Sequence, residues 1–234
     1  MHKHIEQHTT GQGTVFRNLI LGGQDGLVNV LGIVLGVAVA TDSTKIVLLA
    51  GVAAAFAESV SMAAVAYTSS RAELEHYESE LKREIYEMEH LPDREREEIA
   101  VIYREKGFSG KLLTQVVDKI CSDKKVWLDT MMHEELKLEN PADSMSPIKQ
   151  SVLVGVSAII GSIIPLIPFF FLPVSAAIPI SLVISFAVLF LFGAYKSQLT
   201  SGKWLYGGFE LMLIGGAAAV AGYLVGAIFQ APHP

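Results

Sequence analysis

The chain has 234 residues, 51% hydrophobic and 18% charged, with a mean hydropathy of +0.42 and a formal net charge of −6. That is too apolar for an ordinary water-soluble domain of this length and points to a membrane protein; the acidic balance, with no basic patch interleaved with aromatics, excludes a nucleic-acid partner. The single cysteine, Cys121, excludes an internal disulfide and a cysteine-built zinc site.

Residues 1–17 read as a polar N-terminal tail, whose His2, His4 and His8 suit a disordered segment better than an accessory metal site. The first apolar span, Leu19 to Ala40, carries Asp25 within GGQDGLVN, where Gly22, Gly23 and Gly26 let another backbone approach. It is not a cleavable signal: it contains a carboxylate, lacks a small-residue cleavage pattern and is followed at once by another span. That second span, Ile46 to about Ser70, follows the polar turn TDSTK and carries Glu58 and Met62. Residues 18–71 are thus assigned to transmembrane helices 1 and 2.

The second helix is not expected to stop at the membrane surface. From Ser69 the sequence runs on without Gly or Pro to Pro92, so one helix leaves the bilayer and opens a polar insert over residues 72–147. Arg71 to Lys106 alone holds 12 of the 24 acidic and 7 of the 18 basic residues, which sets the insert apart from the apolar remainder. A short helix is predicted from an N-cap at Asp93 to Lys106, ended by Gly107; another passes through Val116 and Val117 after KGFSGK, and a last one opens after Ser122 to Lys125. This last helix contains VWLDTMMHEELKLE, with Met131, Met132, His133, Glu134 and Glu135 in a row. Adjacent residues of a regular helix point about 100° apart, so packing alone would use only one of the two methionines well.

Three further spans fill residues 148–230: Ser151 to Leu172, Ala176 to Ala194 and about Tyr206 to Phe229, before a short tail at 231–234. Each is long enough to cross about 30 Å of hydrocarbon at about 1.5 Å per residue, and only helices avoid unpaired backbone groups in lipid. Pro165 and Pro168 should kink or interrupt the third span. The fold class is therefore all-α, a polytopic membrane protein with five transmembrane helices and a cytoplasmic helical insert. Lys3, Arg17, the basic residues of the insert, Lys196 and Lys203 fall on one side of the membrane, which makes the N-terminus and the insert cytoplasmic.

Within the insert, Glu84 and Glu87 are i,i+3 neighbours, as are Glu95 and Glu98, while Glu135 stands i+3 from Met132 and i+4 from Met131. Three helices can therefore converge carboxylates and thioethers, a donor set suited to Fe²⁺, Mn²⁺, Co²⁺ or Zn²⁺ more than to Mg²⁺ or Ca²⁺. Spacing alone still favours a solvated face, with ion pairs to Arg83, Arg94 and Arg96 and the methionines as core. The membrane carboxylates weigh more, because an ionisable group inside a bilayer costs about 2.5–3.5 kcal/mol. Counted inward from Arg17 and Arg71, Asp25 and Met62 both lie about 12–13 Å deep, with Glu58 one turn further in on the face of Met62. Glu210, after Gly207 and Gly208, reads either as a proton-carrying group or as a carboxylate satisfied by Lys196 or a neighbouring helix.

The segments QDGLVNVLGIVLG, GVAAAFAESVSMAAVAYTSSRAE, WLDTMMHEELKLE, GVSAIIGSIIPLIPFFF and LFGAYKSQLTSGKWLYGGFELMLIGGAAA, in this order, resemble the vacuolar iron transporter family, which includes the yeast calcium-sensitivity-complementing type of iron and manganese carrier. The likeness runs from Asn18 to about Phe229. It implies a homodimer, five transmembrane helices per chain, and movement of Fe²⁺, with Mn²⁺ or related ions, out of the cytoplasm in exchange for protons. It implies that the insert collects metal with Glu84, Glu87, Glu95, Glu98, Met131, Met132 and Glu135, which reverses the solvated-face reading. It also implies a translocation path at Asp25 and Met62, near the dimer axis, with no prosthetic group.

Some members of that family carry an acidic residue two turns before the methionine, where this chain has Ala54; Glu58, one turn closer to Met62, is the nearest carboxylate. Glu58 and Glu210 are accordingly the candidates for proton coupling. The implied location is the cell membrane of a prokaryote or the vacuolar membrane of a eukaryote. Two other readings stand beside the carrier: a membrane-anchored di-metal enzyme of ferroxidase type, and a metal sensor that does not transport. The enzyme would need Glu-x-x-His on two helices of a bundle, and of Glu84, Glu87, Glu95, Glu98 and Glu135 only Glu87, with His90, fits.

Overall fold

The computed structural model describes residues 10–141, 145–200 and 202–229, with side chains at 10–14, 199 and 200 left aside. The histidines at 2, 4 and 8 and the tail 231–234 lie outside the described residues. Every regular element among those residues is helical: α1 (Thr10–Ala40), α2 (Thr44–His90), α3 (Pro92–Glu105), α4 (Gly110–Cys121), α5 (Lys124–Thr130), a π-helical turn (Met131–Glu135), α6 (Pro147–Ile163), a 3₁₀ segment (Ile164–Phe170), α7 (Val174–Thr200) and α8 (Trp204–Ile228). Five stretches are long and apolar enough to cross a membrane: Val15–Ala40, Thr44–His90, Pro147–Phe170, Val174–Gln198 and Trp204–Ile228. The chain divides into two units, Met1–Thr68 with Met145–Pro234, and Ser69–Ser144; the boundary falls inside α2.

In the first unit α1 is the central helix, packed against α6, α7 and α8. Its Leu27, Val30, Leu31 and Val34 are fully buried. Glycine lets the helices come this close. A Cβ on Gly161 of α6 would collide with the carbonyl oxygen of Gly23, and one on Gly222 of α8 with that of Gly32. Outward-facing positions on other helices are apolar and exposed, as at Leu49, Val60, Val183 and Leu213. A bundle apolar on its outside as well as its inside is built for lipid.

The prolines of the third span act as expected. The helix gives way at Ile164 to a 3₁₀ segment containing Pro168. In a 3₁₀ pattern the carbonyl of Pro165 would accept from residue 168, which as proline has no N–H. Ser181 of α7 fills that vacancy, its hydroxyl donating to the Pro165 carbonyl at 2.7 Å. Two more serines join α2 to α6: Ser59 Oγ donates to the Gly155 carbonyl and Ser151 Oγ to the Ala63 carbonyl, both at 2.8 Å.

The second unit is built around Ile99, Val117, Ile120, Trp127 and Met131. Its helix ends differ from expectation in one place. Leu91, not Asp93, is the N-cap of α3, because Pro92 occupies the first helical position, where its missing N–H costs nothing; Asp93 and Glu95 fall in the first turn. Gly107, at φ +94, ends the following turn. Asp123 caps α5, accepting at Oδ1 from the backbone N–H groups of Lys125 at 2.9 Å and Val126 at 3.3 Å. Lys137, with φ 55, turns the chain out of the last helix while the Leu138 N–H donates to the Met132 carbonyl at 2.9 Å.

Candidate metal sites

The insert glutamates arrive from three directions. Glu84 comes from α2, Glu95 from the first turn of α3 and Glu135 from the end of the π-helical turn, and one carboxylate oxygen of each lies within 4.8 Å of the others. Glu84 and Glu95 are 1% and 0% exposed. Glu87 and Glu98 are half-buried beside them.

The π-helical turn answers the problem of adjacent methionines. Widening the helix, so that the Leu136 N–H donates to the Met131 carbonyl five residues back at 3.1 Å, lets Met131 and Met132 both face inward while Glu135 still reaches the cluster. Both methionines are buried, and Met131 packs within the apolar core against Ile99 and Trp127. His133 and Glu134 stay on the surface, as the sequence suggested. The His133 ring is engaged with the Asp129 carbonyl at 2.8 Å, and Glu134 pairs with Lys106.

Electrostatically the cluster is under-compensated. Arg83 lies 2.6 Å from Glu80 and only 3.7 Å from Glu84; Arg94 pairs with Glu98 at 3.2 Å, and Arg96 pairs with Asp118. The expected surface ion pairs therefore exist, but at the rim. Inside, Glu84 Oε2 and both carboxylate oxygens of Glu95 are buried with no hydrogen-bond partner among the described residues. Burial first, then Glu98, Glu84, Glu87 and Glu135, raise the Glu95 carboxyl to about 7. Glu135, exposed at the end of the π-helical turn, is raised to about 7 as well by partial desolvation of its carboxyl and then by Glu98 and Glu84, and burial followed by Glu87 raises Glu84. Buried oxygens without donors, repelling one another, fit a divalent cation.

The second candidate site lies in the membrane-competent unit. A Cβ on Gly51 of α2 would lie 3.0 Å from Val34 of α1, and Val30 and Ala55 share a core cluster. This antiparallel register sets Asp25 opposite Val60, so that Glu58 and Met62 straddle its level. Depth along the two helices pairs Asp25 with Met62. In the structure Glu58 is the α2 side chain that neighbours Asp25, and Asn29 neighbours it as well. Asp25, Glu58 and Met62 are all half-buried. Glu210 is exposed on α8, with no ion pair to it among the described residues.

Asn29 escaped the sequence reading because an uncharged amide raises no alarm in an apolar helix. Its spacing held the signal, since i+4 from Asp25 places it on the same face one turn on. His90, the histidine that a Glu-x-x-His site would need, is occupied elsewhere: its ring contacts the Tyr86 carbonyl at 2.8 Å and stacks on the Tyr86 ring, 4.0 Å between centroids.

Comparison with known proteins matches the profile of the VIT family to residues 16–227. A vacuolar iron transporter of Centaurea cyanus is 33% identical over 224 residues, covering 95% of this chain and 91% of that protein. Vacuolar iron transporter 1 of Arabidopsis thaliana is 33% identical over 228 residues, covering 97% and 90%. A vacuolar iron transporter of Toxoplasma gondii is 31% identical over 236 residues, covering 97% of this chain and 78% of that protein.

Proposed function

The chain belongs to the VIT family, and on that premise we propose that it is a secondary carrier exporting Fe²⁺ from the cytoplasm across a membrane in exchange for protons. The observation that carries the reading is the meeting of Asp25 and Glu58 between two membrane-competent helices. Two carboxyl groups share hydrogen-bonding distance only when a proton or a cation lies between them. A pair that holds Fe²⁺ on the outward step and protons on the return stays near neutral both ways, which removes most of the cost of crossing hydrocarbon.

Around that pair the other residues take the following parts. Glu84, Glu95 and Glu135, with Glu87 and Glu98 at the edge, gather the metal in the insert, and Met131 and Met132 lend a softer character that favours first-row ions. Met62, beside the pair, contributes to selection among Fe²⁺, Mn²⁺, Zn²⁺ and Co²⁺. Glu210 is the reserve candidate for the proton. The excess of Lys and Arg at the N-terminus, in the insert and between Lys196 and Lys203 supports a cytoplasmic insert. The exposure of Asn29 beside Asp25 and Glu58 supports a homodimer: a polar face in hydrocarbon needs cover, and a second copy meeting it on α1 and α2 would supply that cover.

The test is uptake by the purified full chain in liposomes. Fe²⁺ entry should rise when the lumen is acidic, and Glu58→Gln, which keeps the shape of the side chain, should leave at most a slow downhill leak that ignores the gradient. Full gradient dependence in that variant would move the proton route to another group. Absence of any metal flux from the wild-type protein would refute the carrier reading outright.

A further inference from the structure

We propose that Asn29 is a positioning residue of the membrane site, holding the Glu58 side chain against Asp25 so that the two carboxylates form one cation-capturing pair. The inference rests on the reading of Asp25 and Glu58 as the translocation pair. It adds a residue that no charge pattern selects.

Three observations converge on it. Asn29 lies one turn beyond Asp25 on the same face of α1. The close approach of Gly51 to Val34 sets an antiparallel register that brings Asn29 level with the turn of α2 that ends at Glu58, so Glu58 stands at a height between Asp25 and Asn29. Asp25 and Asn29 are both side-chain neighbours of Glu58. A glutamate has three side-chain torsions, and free of constraint it would distribute among several rotamers. An amide on its flank restricts it, donating N–H to the carboxylate or accepting O–H from the carboxylic acid, so that the same contact survives in either state.

Asn29 is exposed in the single chain and lines the groove between α1 and α8, beside Gly32, Gly36 and Gly222. Cover by a second copy would shield the amide from lipid but would not restrict the rotamer of Glu58. A covering role alone therefore makes Asn29→Leu a change in dimer stability, whereas a positioning role makes it costly to metal capture.

The experiment measures initial Fe²⁺ uptake against Fe²⁺ concentration in liposomes for the wild type, Asn29→Leu, Asn29→Ala, Asn29→Gln and Asp25→Ala. Loss of one hydrogen bond to a charged group is worth about a tenfold rise in the half-saturating concentration. Asn29→Leu should show that rise with a maximal rate within about threefold of wild type, the signature of lost capture without lost turnover. Asn29→Gln, which keeps the amide, should recover most of the affinity, and Asn29→Ala repeats the test should the leucine variant not purify as a folded protein. Wild-type half-saturation in the leucine and alanine variants, or a fall in maximal rate with half-saturation unmoved, would overturn the assignment. Asp25→Ala separates the two levels: if it transports normally, the pair itself was misread and the role of Asn29 falls with it. If it is inactive while Asn29→Leu behaves as wild type, only the role of Asn29 is wrong.

Discussion

Replacing Glu95 with glutamine should make the insert more stable without metal, and the gain should depend on pH. Glu95 is fully buried, and its carboxyl is raised from 4.5 to about 7, chiefly by burial and then by Glu98 and Glu84. The folded state therefore binds a proton more tightly than the unfolded state. Its stability is highest below the unfolded value of about 4.5 and declines as pH rises, until the loss levels off above about 7. The gap corresponds to about 3 kcal/mol for this one group, and relaxation of neighbouring side chains reduces the measurable part to about 2 kcal/mol. Glutamine keeps the shape, cannot ionise, and offers an amide that can donate to Glu84 or Glu135.

Amide hydrogen exchange on the full-length protein in detergent, with metal removed, reads this locally in the segments around Ile99 and Trp127. At about pH 8 the variant should exchange there about 30-fold more slowly than the wild type after correction for intrinsic rates, and at about pH 5 the two should nearly coincide. Added Fe²⁺ should protect the wild type strongly and the variant weakly, because the site loses one of its three converging carboxylates. A wild type more protected than the variant at high pH without metal, or a difference that ignores pH, would mean that Glu95 does not carry its charge at the expense of the fold.

Three further outcomes are expected. Asp25→Ala should purify as a folded protein with little Fe²⁺ flux in liposomes, and near-normal flux would sink its assignment. Metal affinity of the insert, measured by calorimetry on the full chain carrying Asp25→Ala, should fall by more than about tenfold as pH drops from about 8 to about 6, since Glu95 and Glu135 take up protons near 7 and compete for the same oxygens; a flat profile would deny them the ligand role. Ser181→Ala should lower thermal stability by about 1–3 kcal/mol, because it strips the hydroxyl hydrogen bond from the buried Pro165 carbonyl, whereas Ser185→Ala, whose buried hydroxyl has no partner among the described residues, should cost little; equal losses would refute the distinction.

The spans were legible because apolarity along the chain is nearly continuous and lipid imposes helices. Their ends were less so: α6 begins at Pro147 and α7 runs on to Thr200, since polar residues at a membrane surface continue a helix as readily as they end one. The site divided along the same line. Glu84, Glu95 and Glu135 stood out by charge and spacing, but their meeting depends on a π-helical turn that no periodicity rule anticipates, since regular helix geometry scatters the residues that this turn gathers. Counting depth along two helices came within a turn of the membrane pair, yet it took the packing of Gly51 on Val34 to favour Glu58 over Met62 as the partner of Asp25. Asn29 was invisible to charge counting altogether.

The glycine contacts of α1 bear on how any substitution survey of this protein should be interpreted. Along that helix two kinds of intolerance should be interleaved: Asp25, where a change is expected to silence transport, and Gly22 and Gly26, where an added methyl would collide with the Val154 and Ala158 carbonyl oxygens of α6 respectively. Scored by cell growth alone, both kinds would be indistinguishable, and the glycines would masquerade as a second transport stripe. Scored also by protein abundance they would separate, Gly22→Ala and Gly26→Ala disappearing from the membrane while Asp25→Ala accumulates there, inert.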